Sequence, residues 1–194
     1  MRWLVLLLAL SACAAPRPSP YEPASESRRN TARAQELSSR AADLLYDSPE
    51  EAESLLREAL TEDIFFGPAH NNLGVLYLTQ DKLYEAANEF EWARRVMPGH
   101  PDPRMNLALT LEKAGKWDEA IQTYKTALEV YPGHIPTEQA LARILVRHAP
   151  ESPDLPALLD RIRLRGETPA WRQWARNPST RHLSADVITD RQAP

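Results

Sequence analysis

The chain has 194 residues, 43% of them apolar and 26% charged, with a formal net charge of −4 and a single cysteine. That length suits one domain plus appendages, and one thiol excludes an internal disulfide framework, so packing alone must hold the fold. The mildly acidic balance leaves no electrostatic footprint for nucleic acid.

Arg2 precedes an unbroken apolar run from Trp3 to Leu10, which leads into Leu10-Ser11-Ala12-Cys13. A bilayer span needs about 20 apolar residues, so this run is too short to cross. A positive start, a short apolar stretch and small residues before a cleavage point predict an export signal over residues 1–12. Leu10-Ser11-Ala12-Cys13 resembles a bacterial lipobox. The resemblance implies cleavage before Cys13 and attachment of diacylglycerol to its sulfur, with palmitate-type chains as the membrane anchor. Two or more acyl chains anchor stably where one does not. The alternative is an ordinary cleaved signal that happens to hold a cysteine. In Gram-negative lipoproteins an aspartate after the lipidated residue is the usual inner-membrane retention signal; Ala14 stands here. The expected location is therefore a bacterial cell envelope, at the outer membrane and facing the periplasm.

Residues 13–30 form the lipidated terminus and linker, with Pro16, Pro18, Pro20 and Pro23 and no apolar periodicity. They read as a disordered tether, of which the roughly 14 residues from Ala14 to Ser27 could, at about 3.1 Å each, hold a folded unit ~40 Å from the anchor. Helical patterning begins near Thr31. Residues 31–66 read as a degenerate helical hairpin, with Leu37, Ala41 and Leu44 facing inward on the first helix. Ala52, Leu56 and Ala59 do so on the second. Asp47-Ser48-Pro49 supplies the turn, Ser48 standing at an N-cap position and Pro49 at the first helical position.

Residues 67–100 and 101–134 then overlay with an offset of 34. They agree at Asn72/Asn106, Leu73/Leu107, Lys82/Lys116, Glu85/Glu119, Ala86/Ala120, Ala93/Ala127, Val96/Val130 and Pro98-Gly99-His100/Pro132-Gly133-His134. Gly74/Ala108 and Phe90/Tyr124 are conservative pairs, a small residue where two helices approach and a ring filling the space between. A fixed period of this length marks units that bury their apolar faces only by stacking. Residues 135–165 begin another unit with Leu141, Ala142 and Leu145, then Pro150, Pro153 and Pro156 interrupt it, which reads as a capping or partial unit. Residues 166–194 are a basic, tryptophan-containing tail, with a short helix predicted from Thr168-Pro169 through Trp171 and Trp174.

The period, the small residues and the helix breakers resemble the tetratricopeptide repeat. That resemblance implies an all-α, right-handed helical-hairpin solenoid with capping helices, whose arrays bind peptides and proteins. Carried over position by position, the first helix of each hairpin lines a concave groove formed by Asn71, Asn72, Val75, Leu78, Met105, Asn106, Leu109, Glu112, Gln139 and Arg143. A column of carboxamides can pair with the backbone of an extended peptide, or it can bond neighbouring helices within the scaffold; both readings stand. Some members hold a partner's C-terminal carboxylate with lysines at these places, but Asn71, Asn72, Met105 and Asn106 include none. An internal segment or helix of a partner fits better.

Charge is uneven. Acidic residues outnumber basic ones ten to two between Pro49 and Glu91, whereas six arginines face Glu167 alone from Arg161 to Arg181. Arg165, Trp171, Arg172, Trp174 and Arg176 combine hot-spot residue types and offer a second contact surface for an acidic partner or anionic headgroups. Alternatively Trp171 and Trp174 pack against the capping helices. His100 and His134 recur in register, but equivalent points of packed helices lie about 8–10 Å apart and zinc–nitrogen bonds are about 2 Å, so they read as turn residues. There is no phosphate-binding glycine loop, HExxH or GxSxG, and no metal, cofactor or small-molecule substrate is expected. The leading expectation is a non-catalytic, lipid-anchored adaptor. Lipoproteins of similar build act in the assembly of pili and secretion pores or recruit cell-wall hydrolases. The alternatives are a subunit that stabilises a larger complex through the Arg/Trp tail, and a cell-wall enzyme.

Overall fold

The computed structural model describes residues 29–178, and the described residues form nine helices and no strand. Four hairpins follow one another: α1 (Thr31–Leu44) with α2 (Pro49–Glu62), α3 (Gly67–Thr79) with α4 (Leu83–Val96), α5 (Pro101–Lys113) with α6 (Trp117–Val130), and α7 (Ile135–His148) with α8 (Leu155–Arg165). The short α9 (Pro169–Trp174) closes the end. None of these helices is long and apolar enough to cross a membrane. Cys13, Ala14 and the proline-rich linker lie outside the described residues.

Local chemistry sets the boundaries. Proline stands at the first or second position of α2, α3, α5, α7, α8 and α9, where its missing N–H is no loss. The Asn30 side chain caps α1 by accepting from the Arg33 N–H, and the Thr168 hydroxyl caps α9 by accepting from Trp171. Ser48 occupies the N-cap of α2, yet its hydroxyl makes no capping bond. Inside the hairpins, Lys82 N–H donates to the Tyr77 carbonyl and Lys116 N–H to the Leu111 carbonyl, each at 2.9 Å. This wrap of the last turn puts one residue in the left-handed region. Gly115 fills it at φ 76° and Asp81 fills the equivalent place at φ 59°. Between hairpins the two Pro-Gly pairs differ: Gly133 is left-handed at φ 79°, and Gly99 is not.

Each hairpin closes on a small residue. A Cβ on Gly74 would sit 2.6 Å from the Phe90 ring, so α3 leaves no room for a side chain where that ring of α4 lies against it. Ala108 and Tyr124 are fully buried at the corresponding place in the next hairpin. Apolar side chains form two clusters, one over α1–α4 and another from α5 to α9. α1 touches α3 and α3 touches α5, while the even-numbered helices pack chiefly on their neighbours in sequence. α1, α3 and α5 are therefore crowded together on the inside of a curve.

Gly74→Ala should destabilise by about 1–3 kcal/mol, because the added methyl must displace Phe90 in a filled core. Gly99→Ala meets nothing within 4 Å and should change stability by less than about 0.5 kcal/mol. Thermal melts of the two variants check this; equal midpoints would overturn the assigned helix contact.

Candidate partner-binding groove

The inner helices are joined by polar bonds that recur with the repeat. Asn72 Nδ2 on α3 donates to Ser38 Oγ on α1 at 3.3 Å, and Asn106 Nδ2 on α5 donates to Asn71 Oδ1 on α3 at 3.1 Å. Each bond runs from one position of a unit to the preceding residue's position in the unit before. The next step along the stack would pair Ala140 with Met105, which cannot form such a bond. There an ion pair takes over: both Arg143 terminal nitrogens donate to the Glu112 carboxylate at 2.6 Å, joining α7 to α5. Tyr124 OH donates to the same carboxylate at 3.3 Å from beneath. Both charged partners are buried, so each depends on the other for neutralisation.

A second recurring position is polar in three of the four units. Leu37, His70, Arg104 and Glu138 occupy it in successive units, and each polar member finds a partner. His70 faces the Glu89 carboxylate at 2.7 Å and the Ile64 carbonyl at 2.9 Å; Arg104 donates to the Pro98 carbonyl at 2.8 Å; Arg161 donates to Glu138 at 2.5 Å. Glu89, Glu112 and Glu138 are thus half-buried or buried, each facing a histidine or arginine of another helix. Between α2 and α3, Glu53 accepts from Arg57 at 2.8 Å and from Tyr77 at 3.1 Å. Burial pushes the Glu53 carboxyl up, but the hydrogen bonds from Arg57 and Tyr77 outweigh it and hold the group below its ordinary range. Burial likewise pushes the Tyr77 phenol up.

Of the residues expected to line the groove, Leu78, Met105, Asn106, Glu112, Gln139 and Arg143 are buried, while Asn71, Asn72, Val75 and Leu109 are half-buried. Gln139 is engaged by Glu167, whose backbone N–H donates to its amide oxygen at 3.2 Å. Asn71, Asn72 and Asn106 hold the stack together, the scaffold reading of that column. What the inner face offers outward is an apolar floor of Val75 and Leu109 continued by the exposed Ala42 of α1. Along one edge stand Tyr46, Thr79, Lys113 and Arg147, all exposed and recurring at spacings of 33 and 34. Sequence reading missed this edge, although the 34-residue spacing of Lys113 and Arg147 was there to find it.

In the tail, Trp171 and Trp174 are 7% and 5% exposed and meet edge to face at 5.3 Å within the C-terminal cluster. They pack against the capping helices. Arg172 donates to the Gly166 carbonyl at 2.6 Å, and Arg165 and Arg176 are exposed. The surface there is basic without aromatic anchors. His100 and His134 stand at the N-caps of α5 and α7, and His134 Nδ1 lies 2.8 Å from the Thr137 hydroxyl.

Residues 101–134 match the family model of the tetratricopeptide repeat. No curated protein sequence matches the chain. Among solved structures, Pseudomonas aeruginosa pilF is 20% identical, with 86% of this chain and 72% of that one covered at a TM-score of 0.66. YrrB, described as a TPR protein with an unusual peptide-binding site, is 20% identical over 73% of this chain and 70% of its own, at a TM-score of 0.56. The first TPR of Spaghetti (RPAP3), solved bound to an HSP90 peptide, is 17% identical over 64% and 98%, at 0.58. At these identities the likeness is one of fold: a tetratricopeptide helical-hairpin solenoid.

Arg143→Met should destabilise by about 3–5 kcal/mol, since it strands the buried Glu112 charge. Adding Glu112→Leu should recover most of that loss, because no lone charge remains. Denaturant unfolding of the single and double variants measures the coupling, and simple additivity of the two losses would contradict the pair's role.

Proposed function

We propose that this tetratricopeptide-fold chain is a non-catalytic adaptor that receives a segment of a partner protein along its inner face, in a bacterial envelope. The observation that carries the reading is the division of labour among the inner side chains. The amides and the Glu112–Arg143 pair bond across the stack, so they are already satisfied when no partner is present. Val75, Leu109 and Ala42 are what remain for contact, with Lys113 and Arg147 along one edge. Such a surface suits the apolar face of a partner helix or an extended apolar stretch, with an acidic group placed toward the edge. Peptide binding by solenoids of this fold, as in the Spaghetti TPR solved with its HSP90 peptide, supports the reading.

The envelope part rests on the N-terminal residues. Arg2, the apolar run to Leu10 and Cys13 at its end support export and acylation, and Ala14 supports the outer membrane. The similarity in fold to Pseudomonas aeruginosa pilF is compatible with a role in assembling a pilus, secretion or cell-wall complex. A second reading, a subunit stabilising a larger complex through its tail, is favoured only by the exposed Arg165 and Arg176.

A photocrosslinker placed at Val75 or Leu109 in the native cell should capture one protein, identified by mass spectrometry, that the same group at the exposed Glu85 of α4 does not. Equal capture at the inner and outer positions would sink the groove assignment. Asn72→Ala should lower the melting temperature yet leave that capture intact. Separately, Cys13→Ala should release the protein into the soluble fraction and abolish palmitate labelling; label retained on the variant would rule out this attachment site.

A further inference from the structure

The floor of the inner face is one position repeated. Ala42 of α1, Val75 of α3 and Leu109 of α5 occupy it in successive units, at offsets of 33 and 34. In α7 the row ends at Arg143, buried against Glu112. Equivalent points of packed helices lie about 8–10 Å apart, so a segment crossing the stack meets three apolar contacts at that interval. A β-strand returns a side chain to one face every ~6.7 Å and fits badly. An α-helix does so every seven residues, at about 10.5 Å, and a polyproline-type chain every three, at about 9.3 Å.

Backbone chemistry separates those two. A polyproline-type chain has no internal hydrogen bonds, so the side laid on the floor needs partners from the groove. The polar groups beside the floor are turned elsewhere. Asn72 donates to Ser38, Asn106 to Asn71, and both terminal nitrogens of Arg143 to Glu112, while Gln139 accepts from the Glu167 N–H. A helix satisfies its own backbone and asks the floor only for apolar contact.

Charge gives the direction. Four residues beyond the floor, about 6 Å along each inner helix, stand Tyr46, Thr79, Lys113 and Arg147, with Asp47 and Asp81 just past the first two. Lys113 lies 3.6 Å from Asp81, which leaves acid at the α1 end and Arg147 at the α7 end. Glu50 and Glu51 in the first turn of α2 add to the acidic end, and Arg40 and Asp43 of α1 offset each other. Behind the middle of the edge, Lys82 stands against Glu85, and Lys116 against Asp118 and Glu119, close to balance. At the α7 end Arg147 and the exposed His148 are followed by one acid, Glu151. A helix carries partial positive charge at its N-terminus and negative at its C-terminus, so it lies most favourably with its C-terminus toward Arg147.

Resting on the groove reading above, we propose that the occupant of the inner face is an amphipathic helix of the partner, about 15 residues long. Its apolar side chains fall seven apart over Ala42, Val75 and Leu109. It is basic near its N-terminus and acidic near its C-terminus, and it runs from α1 toward α7.

The test places p-benzoylphenylalanine in place of Ala42, Val75 or Leu109 of the full chain in the native cell and maps the captured partner residues by mass spectrometry. All three should capture one partner, at sites about seven residues apart and in ascending order from position 42 to 109. Sites about three apart would mark an extended segment, and descending order a reversed helix; either overturns the proposal and leaves the groove assignment standing. Capture no stronger than at Glu85 would remove the groove reading and this proposal with it. Lys113→Glu combined with Arg147→Glu, both at exposed positions, should lower capture from position 109 several-fold with the circular dichroism unchanged. Undiminished capture in that variant would overturn the charge match and the direction drawn from it.

Discussion

Phe90 lies so close to Gly74 that no Cβ fits between them, and this approach of α3 to α4 governs the spacing of the inner helices. Because each hairpin is thin, successive inner helices come near enough for side chains as short as serine and asparagine to bond across them. A bulkier residue at position 74 would push α3 away from α4 and pull Asn72 and Asn71 out of reach of their partners on both sides. Packing in the hairpin and hydrogen bonding along the groove are therefore one constraint seen from two directions.

That constraint decides what the inner face can recognise. A carboxamide column free of internal partners would read peptide backbone, since it carries donors and acceptors together. Here the carboxamides bond to one another and to Ser38, and opening those bonds would leave the buried Ser38 and Asn106 without those partners, at roughly 1–3 kcal/mol each. A partner gains more by leaving them closed and covering Val75 and Leu109. In the proposed reading, recognition comes from apolar shape, with direction supplied by the cationic edge at Lys113 and Arg147, where exposed charge steers more than it binds.

The architecture was legible in the residues because its causes are local and periodic. The offset of 34, the small residues at Gly74 and Ala108 and the prolines at helix starts each act within one unit, and the helices fall where these signals put them. Thr168-Pro169 and Asn177-Pro178 even bracket the six-residue α9. What the residues did not disclose is pairing across units. Nothing in the spacing of Glu112 and Arg143 marks them as a buried pair; the pair becomes necessary only once Ala140 stands where the units before have asparagine. Nor does any spacing mark Glu89 as paired, since its partner, His70, sits on another helix. Asp81 hid a left-handed turn that Gly115 would have announced. Side chains answering to distant neighbours carry no periodic signature, and the candidate site is built largely of them.

The change from amide bonds to an ion pair also places α5 at the junction of the molecule. Leu107 belongs to the apolar cluster of the first two hairpins, whereas Met105 and Ala108 belong to the cluster that runs on to α9. Both kinds of cross-link end on this helix, Asn106 reaching back to α3 and Glu112 forward to Arg143 of α7. A solenoid with only nearest-neighbour contacts transmits little beyond one interface. α5 is held by both clusters, and α7 cannot part from it without exposing the Glu112 charge. The two apolar clusters thereby meet in a single element, and the buried pair ties that element to α7 where the repeat pattern decays.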